Sequence, residues 1–198
     1  MSSSLGKTRR LVGLAIFAVL VVVLQLVATF VKLGTLPLNL TLIPIVVGAA
    51  IYGVGAGAFL GAVFGVVVLL ATISGADAFA YIMWSAQPVL TLVLIMVKGT
   101  AAGFGAGLVF RAASRENVYF GVFLAAFVSP LVNTGIFCLA MFLFYQDLLS
   151  QFAGGTNLLY FAFFGLTGVN FLIELSINFV MSPTVARIIR IGKKEMEV

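Results

Sequence analysis

The sequence predicts an all-α membrane protein, a bundle of six transmembrane helices with both termini in the cytoplasm. Three observations support this prediction. The 198-residue chain is 63% hydrophobic and only 9% charged, which leaves little surface suited to water. Its apolar residues form about six stretches, several near the roughly 20 residues that a helix needs to cross a bilayer. Its cations are concentrated in alternate links between these stretches.

The apolar stretches predict one integral membrane domain, residues 1–198. The predicted spans are 11–31, 41–52, 55–73, 88–110, 118–145 and 158–186. The second span is short and passes through Gly53 into the third. The first resembles a signal peptide, but its apolar run exceeds the roughly 7 to 15 residues of a signal peptide's apolar core, and no small-residue cleavage site follows. A retained helix is therefore predicted.

The cations predict the orientation of the bundle. With the N-terminus inside, the inner segments hold Lys7, Arg9, Arg10, Arg111, Arg115, Arg187, Arg190, Lys193 and Lys194. The outer links hold only Lys32. Because cytoplasmic loops carry the excess of Lys and Arg, this asymmetry places both termini in the cytoplasm. The basic tail is interpreted as a topology signal rather than as a nucleic-acid site.

Several catalytic and cofactor chemistries are excluded by composition. The chain has no histidine and one cysteine, Cys138, which removes Ser-His-Asp and Cys-His triads, most zinc sites and any disulfide within the chain. No Gly-Lys-Ser/Thr element is present, so a P-loop ATP site is also excluded. We therefore expect no enzyme activity, no metal and no cofactor, and any ATP hydrolysis must come from another subunit.

Glycines recur every four residues on two predicted helices. Gly57, Gly61 and Gly65 do so on the third, and Gly99, Gly103 and Gly107 on the fourth. Such stripes let a neighbouring helix backbone approach closely. Packing within the bundle is the favoured interpretation, and a docking face for another protein is the alternative.

Polar residues inside the spans are the strongest functional signal. Lys98 and Glu174 lie within apolar helices, where an ionisable group costs about 2.5 to 3.5 kcal/mol and is usually paired or faces a cavity. At 1.5 Å per residue both lie near the middle of the bilayer, and Asn133 reaches the same level. Further polar residues share helix faces with them: Gln87 and Thr91 with Lys98, and Thr167, Asn170 and Asn178 with Glu174.

Three roles remain open for these residues. Lys98 and Glu174 could neutralise each other in a buried pair that sets helix register. They could instead line a cavity for a small polar solute, where Lys98 faces a carboxylate and the asparagines donate hydrogen bonds. Glu174 could also carry a proton during transport.

The chain resembles a known family over nearly its whole length. The segments that carry the resemblance are "LNLTLIPIVVGAAIYGVGAGAFLGAVFGVVVLL" (38–70), "PVLTLVLIMVKGTAAGFGAGLVF" (88–110), "SPLVNTGIF" (129–137) and the start "KTRRLVGLAIFAVLVVVLQL". Together they are similar to the substrate-binding membrane subunit, or S component, of energy-coupling factor (ECF) vitamin transporters. The order of the segments, the length and the six-span prediction are more specific than any one motif.

The resemblance implies partners and a gate. It implies a bundle in a bacterial plasma membrane that captures a vitamin from outside and works with a coupling transmembrane subunit and two ATPase subunits. Docking on the coupling subunit would use Ala15, Ala18 and Val19, which depart from the family's Ala-x-x-x-Ala pattern.

The family closes its site with the loop between the first two helices and the loop before the fourth. Pocket or gate candidates are therefore Asn39, Thr41, Trp84 and Gln87, with an interfacial anchor as the alternative for Trp84.

The solute suggested by the resemblance is pantothenate. The segment "TLIPIVVGA" (41–49) looks more like the pantothenate-type and unassigned members than the riboflavin or thiamin ones, and a buried lysine suits an anionic vitamin. Riboflavin, folate or another vitamin are the next candidates. The predicted substrate-binding residues are Asn39, Thr41, Trp84, Gln87, Thr91, Lys98, Asn133, Asn170, Glu174 and Asn178. The rival hypothesis is a self-sufficient ion-coupled transporter or channel, although the internal duplication typical of inverted-repeat transporters is not evident. A structural scaffold is the third hypothesis.

Overall fold

The chain is almost entirely helical. A computed structural model describes residues 2–30, 32–33, 36–37, 40–115 and 117–197, with side chains described within 6–30, 40–115 and 117–192. The helices are α1 (Ser2–Phe30), α2 (Leu42–Tyr52), α3 (Val54–Ile73), α4 (Ala78–Ala86), α5 (Pro88–Ala113), α6 (Val118–Phe144), α7 (Gln146–Ala153), α8 (Leu158–Tyr160), a π-helical segment (Phe161–Leu166) and α9 (Gly168–Glu197). Two-residue strands, β1 (Lys32–Leu33) and β2 (Leu36–Pro37), pair antiparallel between α1 and α2.

Five helices of the described chain are long and apolar enough to cross a membrane: 6–30, 54–73, 88–113, 118–144 and 168–192. The second predicted span corresponds to α2, an apolar helix of only 11 residues, about 16 Å long at 1.5 Å per residue. Eight of these residues are buried. Because neighbouring helices cover it, α2 does not need the length of a lipid-facing helix.

Two short helices occupy segments that lie between the predicted spans. The first is α4, which follows a turn at Gly75 (φ 76°) and begins at Asp77, whose Oδ1 accepts a hydrogen bond from the Ala80 amide at 3.2 Å. The second is α7, between α6 and α8. Both pack with the π-helical segment on one apolar cluster. We call α4, α7 and the π-helical segment the cap.

The sixth predicted span is not one continuous α-helix. It is divided into α8, the π-helical segment and α9, and α9 runs beyond residue 186 to Glu197. The division lies at Thr167, between the π-helical segment and α9.

The glycine stripes hold α3 against α5. A Cβ added to Gly99 would lie 2.6 Å from the carbonyl oxygen of Gly61, and one added to Gly57 would overlap the carbonyl of Gly103. Real side chains do not tolerate such distances, so only glycine permits this contact. The structure confirms that the stripes pack within the bundle, and this packing sets the position of Lys98, the residue next to Gly99.

Candidate functional site

A cavity lies beneath the cap, between α1, α3, α4, α5, α6 and α9. Its lining consists of Gln25, Val68, Asp77, Phe79, Ala80, Met83, Thr91, Leu94, Ile95, Lys98, Asn133, Thr134, Phe137, Thr167, Asn170 and Glu174. The cavity volume of about 60 Å³ is enough for a few water molecules. Polar side chains from several helices therefore converge on one internal space.

Lys98 lies at the centre of the charged groups in this cavity. Its Nζ is 5.3 Å from the centroid of the Phe137 ring, within the range of a cation–π interaction. Asp77 and Glu174 both attract its positive charge, and the attraction of Asp77 is the larger. The ammonium therefore has one aromatic and two anionic neighbours.

Asp77 is a cavity residue that sequence reasoning missed, because it lies between the predicted spans 55–73 and 88–110. Its side chain is only 6% exposed. The same carboxylate caps α4 and attracts Lys98, so it connects the cap to the middle of the bundle. An Asp immediately before an apolar segment is a helix-start signal, and this could have predicted both α4 and the orientation of the side chain.

The opposite wall presents amide and carboxylate groups. Asn170 and Glu174, about one turn apart on α9, are buried at the cavity. Asn133 of α6 is 2% exposed, and its Oδ1 accepts no hydrogen bond from any residue that the structure describes. A buried acceptor without a donor is uncommon in folded proteins, so it needs a physical explanation. This wall can therefore accept hydrogen bonds from a ligand.

The π-helical segment shapes the end of the cavity nearest Thr167. The Thr167 hydroxyl lies 3.1 Å from the carbonyl oxygen of Ala162 and 3.2 Å from Sγ of Cys138. Cys138 also contacts the Ala162 carbonyl, at 3.4 Å. Single π-helical turns often occur at functional sites, because they offset the residues that follow. Here the turn directly precedes the helix that carries Asn170 and Glu174.

Five of the predicted site residues line the cavity: Thr91, Lys98, Asn133, Asn170 and Glu174. The Thr91 hydroxyl donates to the Gln87 carbonyl at 2.8 Å and lies 2.7 Å from the Tyr145 hydroxyl. Because the hydrogen of the Thr91 hydroxyl goes to the Gln87 carbonyl, the Tyr145 hydroxyl is the donor to Thr91. Thr91 thus links α5 to the start of the cap helix α7.

Thr41 lies next to the cavity rather than in its wall. Its hydroxyl donates a hydrogen bond of 2.9 Å to Oε1 of Gln25. Gln25, from α1, is 1% exposed and does line the cavity. Sequence reasoning did not select Gln25, although an amide within the apolar run of the first span was an available signal.

The other predicted residues lie elsewhere. Gln87 is exposed and donates from Nε2 to the Phe144 carbonyl at 3.1 Å. Trp84 is half-buried on α4 and does not line the cavity. Asn178 is buried and donates to the Ala126 carbonyl at 3.2 Å, away from this cavity. Asn39 lies outside the described residues.

The suggested docking residues are on α1, which packs lightly against the bundle. Ala15 and Val19 are exposed, and Ala18 is partly buried. Large apolar side chains on the same helix, including Leu11, Ile16 and Val23, are also exposed. This surface is suited to lipid or to an apolar partner helix.

One comparison with known proteins identifies the family. The family model described as "ECF transporter, substrate-specific component" matches residues 9–186. The matched range begins in α1 and includes every residue that lines the cavity. The chain belongs to this family. The resemblance seen in the sequence is thereby confirmed.

This S component is a multi-pass membrane protein and the substrate-binding component of an ECF transporter, and it acts with other transporter subunits on a small-molecule substrate. Neither curated proteins nor solved structures gave a match. The family match leaves the solute open, so the chemistry of the cavity has to be considered for that question.

Proposed function

We propose that this S component binds a water-soluble vitamin or a related micronutrient in the cavity beneath the cap. The observation that carries the proposal is the buried Oδ1 of Asn133, which has no donor among the described residues and lies in a cavity lined by Lys98, Asn170 and Glu174. Internal polar groups of this kind are costly in a membrane protein and are typical of substrate pathways.

The proposed topology has six spans, with α2 as the shortened second span and both termini in the cytoplasm. The excess of Lys and Arg in the segments assigned to the inner side supports this orientation. The cap then faces the outside, where the solute arrives.

Entry of the solute requires movement of the cap. The cavity volume of about 60 Å³ is too small for a vitamin, so binding must widen it. The helix best placed to move is α4, which is bounded by the Gly75 turn and by Gln87. Its Phe79 packs on Phe137 and Phe152, with ring centroids 6.3 Å and 5.5 Å away. Separating these rings would open the cavity to the outside.

The proposed assembly contains a coupling transmembrane subunit and two ATPase subunits in a bacterial plasma membrane. The sequence lacks a P-loop, which supports the proposal that the chain is not an enzyme and that ATP hydrolysis occurs in the partners. The lightly packed face of α1 at Ala15, Ala18 and Val19 is the proposed docking surface.

Pantothenate remains the named anionic candidate for the solute. The argument for it was that a buried lysine suits an anion. However, Asp77 and Glu174 already attract the charge of Lys98, which weakens that argument. Pantothenate therefore enters the test as one member of a panel.

The test separates binding from transport. The purified chain is screened by thermal shift against water-soluble vitamins, and uptake is then measured in cells with and without a co-expressed coupling subunit and ATPases. We expect a vitamin to stabilise the isolated chain and uptake to require the ATPases. Uptake driven by an ion gradient through the chain alone would instead support the secondary-transporter hypothesis.

A further inference from the structure

We propose that a second site, a groove at one end of the bundle, binds the phosphate group of an anionic membrane lipid. The groove lies where α2 and α5 end, where α3 begins, and beside the first turns of α1. This inference goes beyond the proposed function, because the groove and the cavity beneath the cap share no described lining residue.

The groove is a large space with two arginines in its wall. Its volume is about 530 Å³. Its described lining consists of Arg10, Ala49, Ala50, Ile51, Tyr52, Gly53, Val54, Gly55, Gly107, Phe110, Arg111 and Ser114. The charged members of this described lining are Arg10 and Arg111, and both are exposed. The space is therefore bounded by two guanidinium groups from different helices.

Arg10 is held at the groove by its contact with the end of α2. Its Nη2 donates a hydrogen bond of 2.9 Å to the carbonyl oxygen of Tyr52. One turn further along α1, a Cβ added to Gly13 would overlap the Tyr52 hydroxyl, so α1 packs closely on this ring. A guanidinium has five N–H donors, and the bond to Tyr52 uses one of them. Paired guanidinium donors match the geometry of phosphate oxygens.

The start of α3 supplies a further feature suited to an anion. Its N-cap is Gly53, and no side chain caps the helix. The first amide groups of a helix lack partners within the helix, and the helix dipole adds partial positive charge there. A Cβ added to Gly53 or Gly55 would meet nothing within 4 Å, so the space in front of these amides is open. Phosphate groups commonly bind at such helix starts.

The surroundings of Arg111 favour a lipid over a soluble anion. Phe104 and Leu108, both large and exposed, precede Arg111 by seven and three residues on α5, so the three share one helix face. An acyl chain lying along Phe104 and Leu108 would bring its phosphate to Arg111. The proposed topology places this end of the bundle at the cytoplasmic leaflet, where anionic lipids attract Lys and Arg.

The first experiment compares lipid binding by the purified full chain in a neutral detergent. The probes are dioleoyl phosphatidylglycerol, dioleoyl phosphatidylcholine and inorganic phosphate, and bound lipid is counted by native mass spectrometry. We expect phosphatidylglycerol to bind about tenfold more tightly than phosphatidylcholine, and added salt to reduce the difference. Equal affinity for the two lipids would overturn the proposal. Inorganic phosphate binding as tightly as phosphatidylglycerol would also overturn it, because the groove would then be a site for a soluble anion.

The second experiment tests whether the groove, rather than the total charge, binds the lipid. Arg10→Gln and Arg111→Gln should each lower the affinity for phosphatidylglycerol about fivefold. The matched control is Arg187→Gln, which removes an exposed cation of α9 that is not among the described lining of the groove. If Arg187→Gln lowers the affinity as much as the groove variants do, the lipid follows total charge and the proposal is wrong.

The third experiment adds a negative charge to the groove without crowding it. Gly55→Asp has room for its side chain, and an acidic residue in the first turn of a helix is favourable for folding. It should lower the affinity for phosphatidylglycerol about tenfold by repulsion, whereas Gly55→Asn, with the same shape and no charge, should retain most of it. Equal affinities of the two variants would refute the proposal. Their melting temperatures without lipid should match that of the unmodified protein.

The outcomes separate this inference from the proposed function. If Gly55→Asp loses lipid binding but still binds a vitamin in the cavity, both proposals stand and the two sites are independent. If a vitamin binds and neither the arginine variants nor Gly55→Asp change lipid affinity, vitamin binding stands and the lipid site is rejected. If the groove variants lose lipid binding while no vitamin binds, the lipid site stands and the vitamin proposal loses its support.

Discussion

Thr41 donates a hydrogen bond of 2.9 Å to Oε1 of Gln25 and so joins the start of α2 to the C-terminal part of α1. The contact is buried, with Thr41 at 0% and Gln25 at 1% exposure. It orients an amide that lines the cavity on one side and contacts a second helix on the other.

Thr41→Val should destabilise the protein, because it keeps the shape of the side chain but leaves a buried acceptor on Gln25 without its donor. Such a loss costs about 1 to 3 kcal/mol. The measurement is the melting temperature of the purified protein. Thr41→Ser retains the hydroxyl, so its melting temperature should be closer to that of the unmodified protein. Equal losses of melting temperature in the two variants would contradict the role of the hydrogen bond.

Gly61→Ala should separate α3 from α5. Its Cβ would overlap the carbonyl of Gly99, and since both groups are backbone, whole helices must shift. Overpacking of this kind costs about 1 to 3 kcal/mol. Gly135→Ala on α6 is the matched control, because nothing lies within 4 Å of the added Cβ and alanine favours helix. Denaturation in detergent gives the free energy of unfolding of both variants, and only Gly61→Ala should lose stability.

Lys98→Met should be strongly destabilising, since it leaves Asp77 and Glu174 without the cation that attracts both. Removing one partner of a buried charge pair typically costs about 3 to 5 kcal/mol. Adding Asp77→Asn to Lys98→Met should recover part of the loss, whereas adding Asp147→Asn should not. Additive effects of Lys98→Met and Asp77→Asn would show that the two residues do not interact.

Asn133→Leu should separate stability from binding. Since Asn133 Oδ1 has no donor among the described residues, removing it should leave the empty protein as stable or more stable. Binding of the solute should weaken by about tenfold or more. Asn178→Leu loses the hydrogen bond to the Ala126 carbonyl, so it should destabilise the protein and leave binding of the solute unchanged. Thermal shift and calorimetry on both variants give the comparison.

Ala15→Phe should impair transport but not binding if α1 docks on the coupling subunit, because a large side chain blocks close approach of another helix. Val66→Phe on the exposed face of α3 is the control for an added ring in lipid. Uptake by the assembled transporter and vitamin binding by the isolated chain are measured for each. Normal uptake by Ala15→Phe would place the docking surface elsewhere.

Much of the fold could be predicted because its signals are local. Continuous apolar stretches define helices in lipid, and glycines four residues apart define a packing stripe, without reference to distant residues. The same reasoning selected Lys98 and Glu174. An ionisable group within an apolar helix indicates a functional or paired site, whichever way that face of the helix is turned. Short helices such as α4 and α7 were missed, because their few turns are flanked by residues typical of loops.

Sequence alone therefore determined the membrane class and the family, and it predicted the depth of the polar groups along their helices. Only the tertiary structure decided that Asp77 and Gln25 line the cavity while Gln87, Trp84 and Asn178 lie outside it. The physical reason is that depth depends on position along one helix, whereas membership of a cavity depends on the rotation of each helix against its neighbours. That rotation is set by contacts between distant segments, such as Gly61 with Gly99 and Thr41 with Gln25.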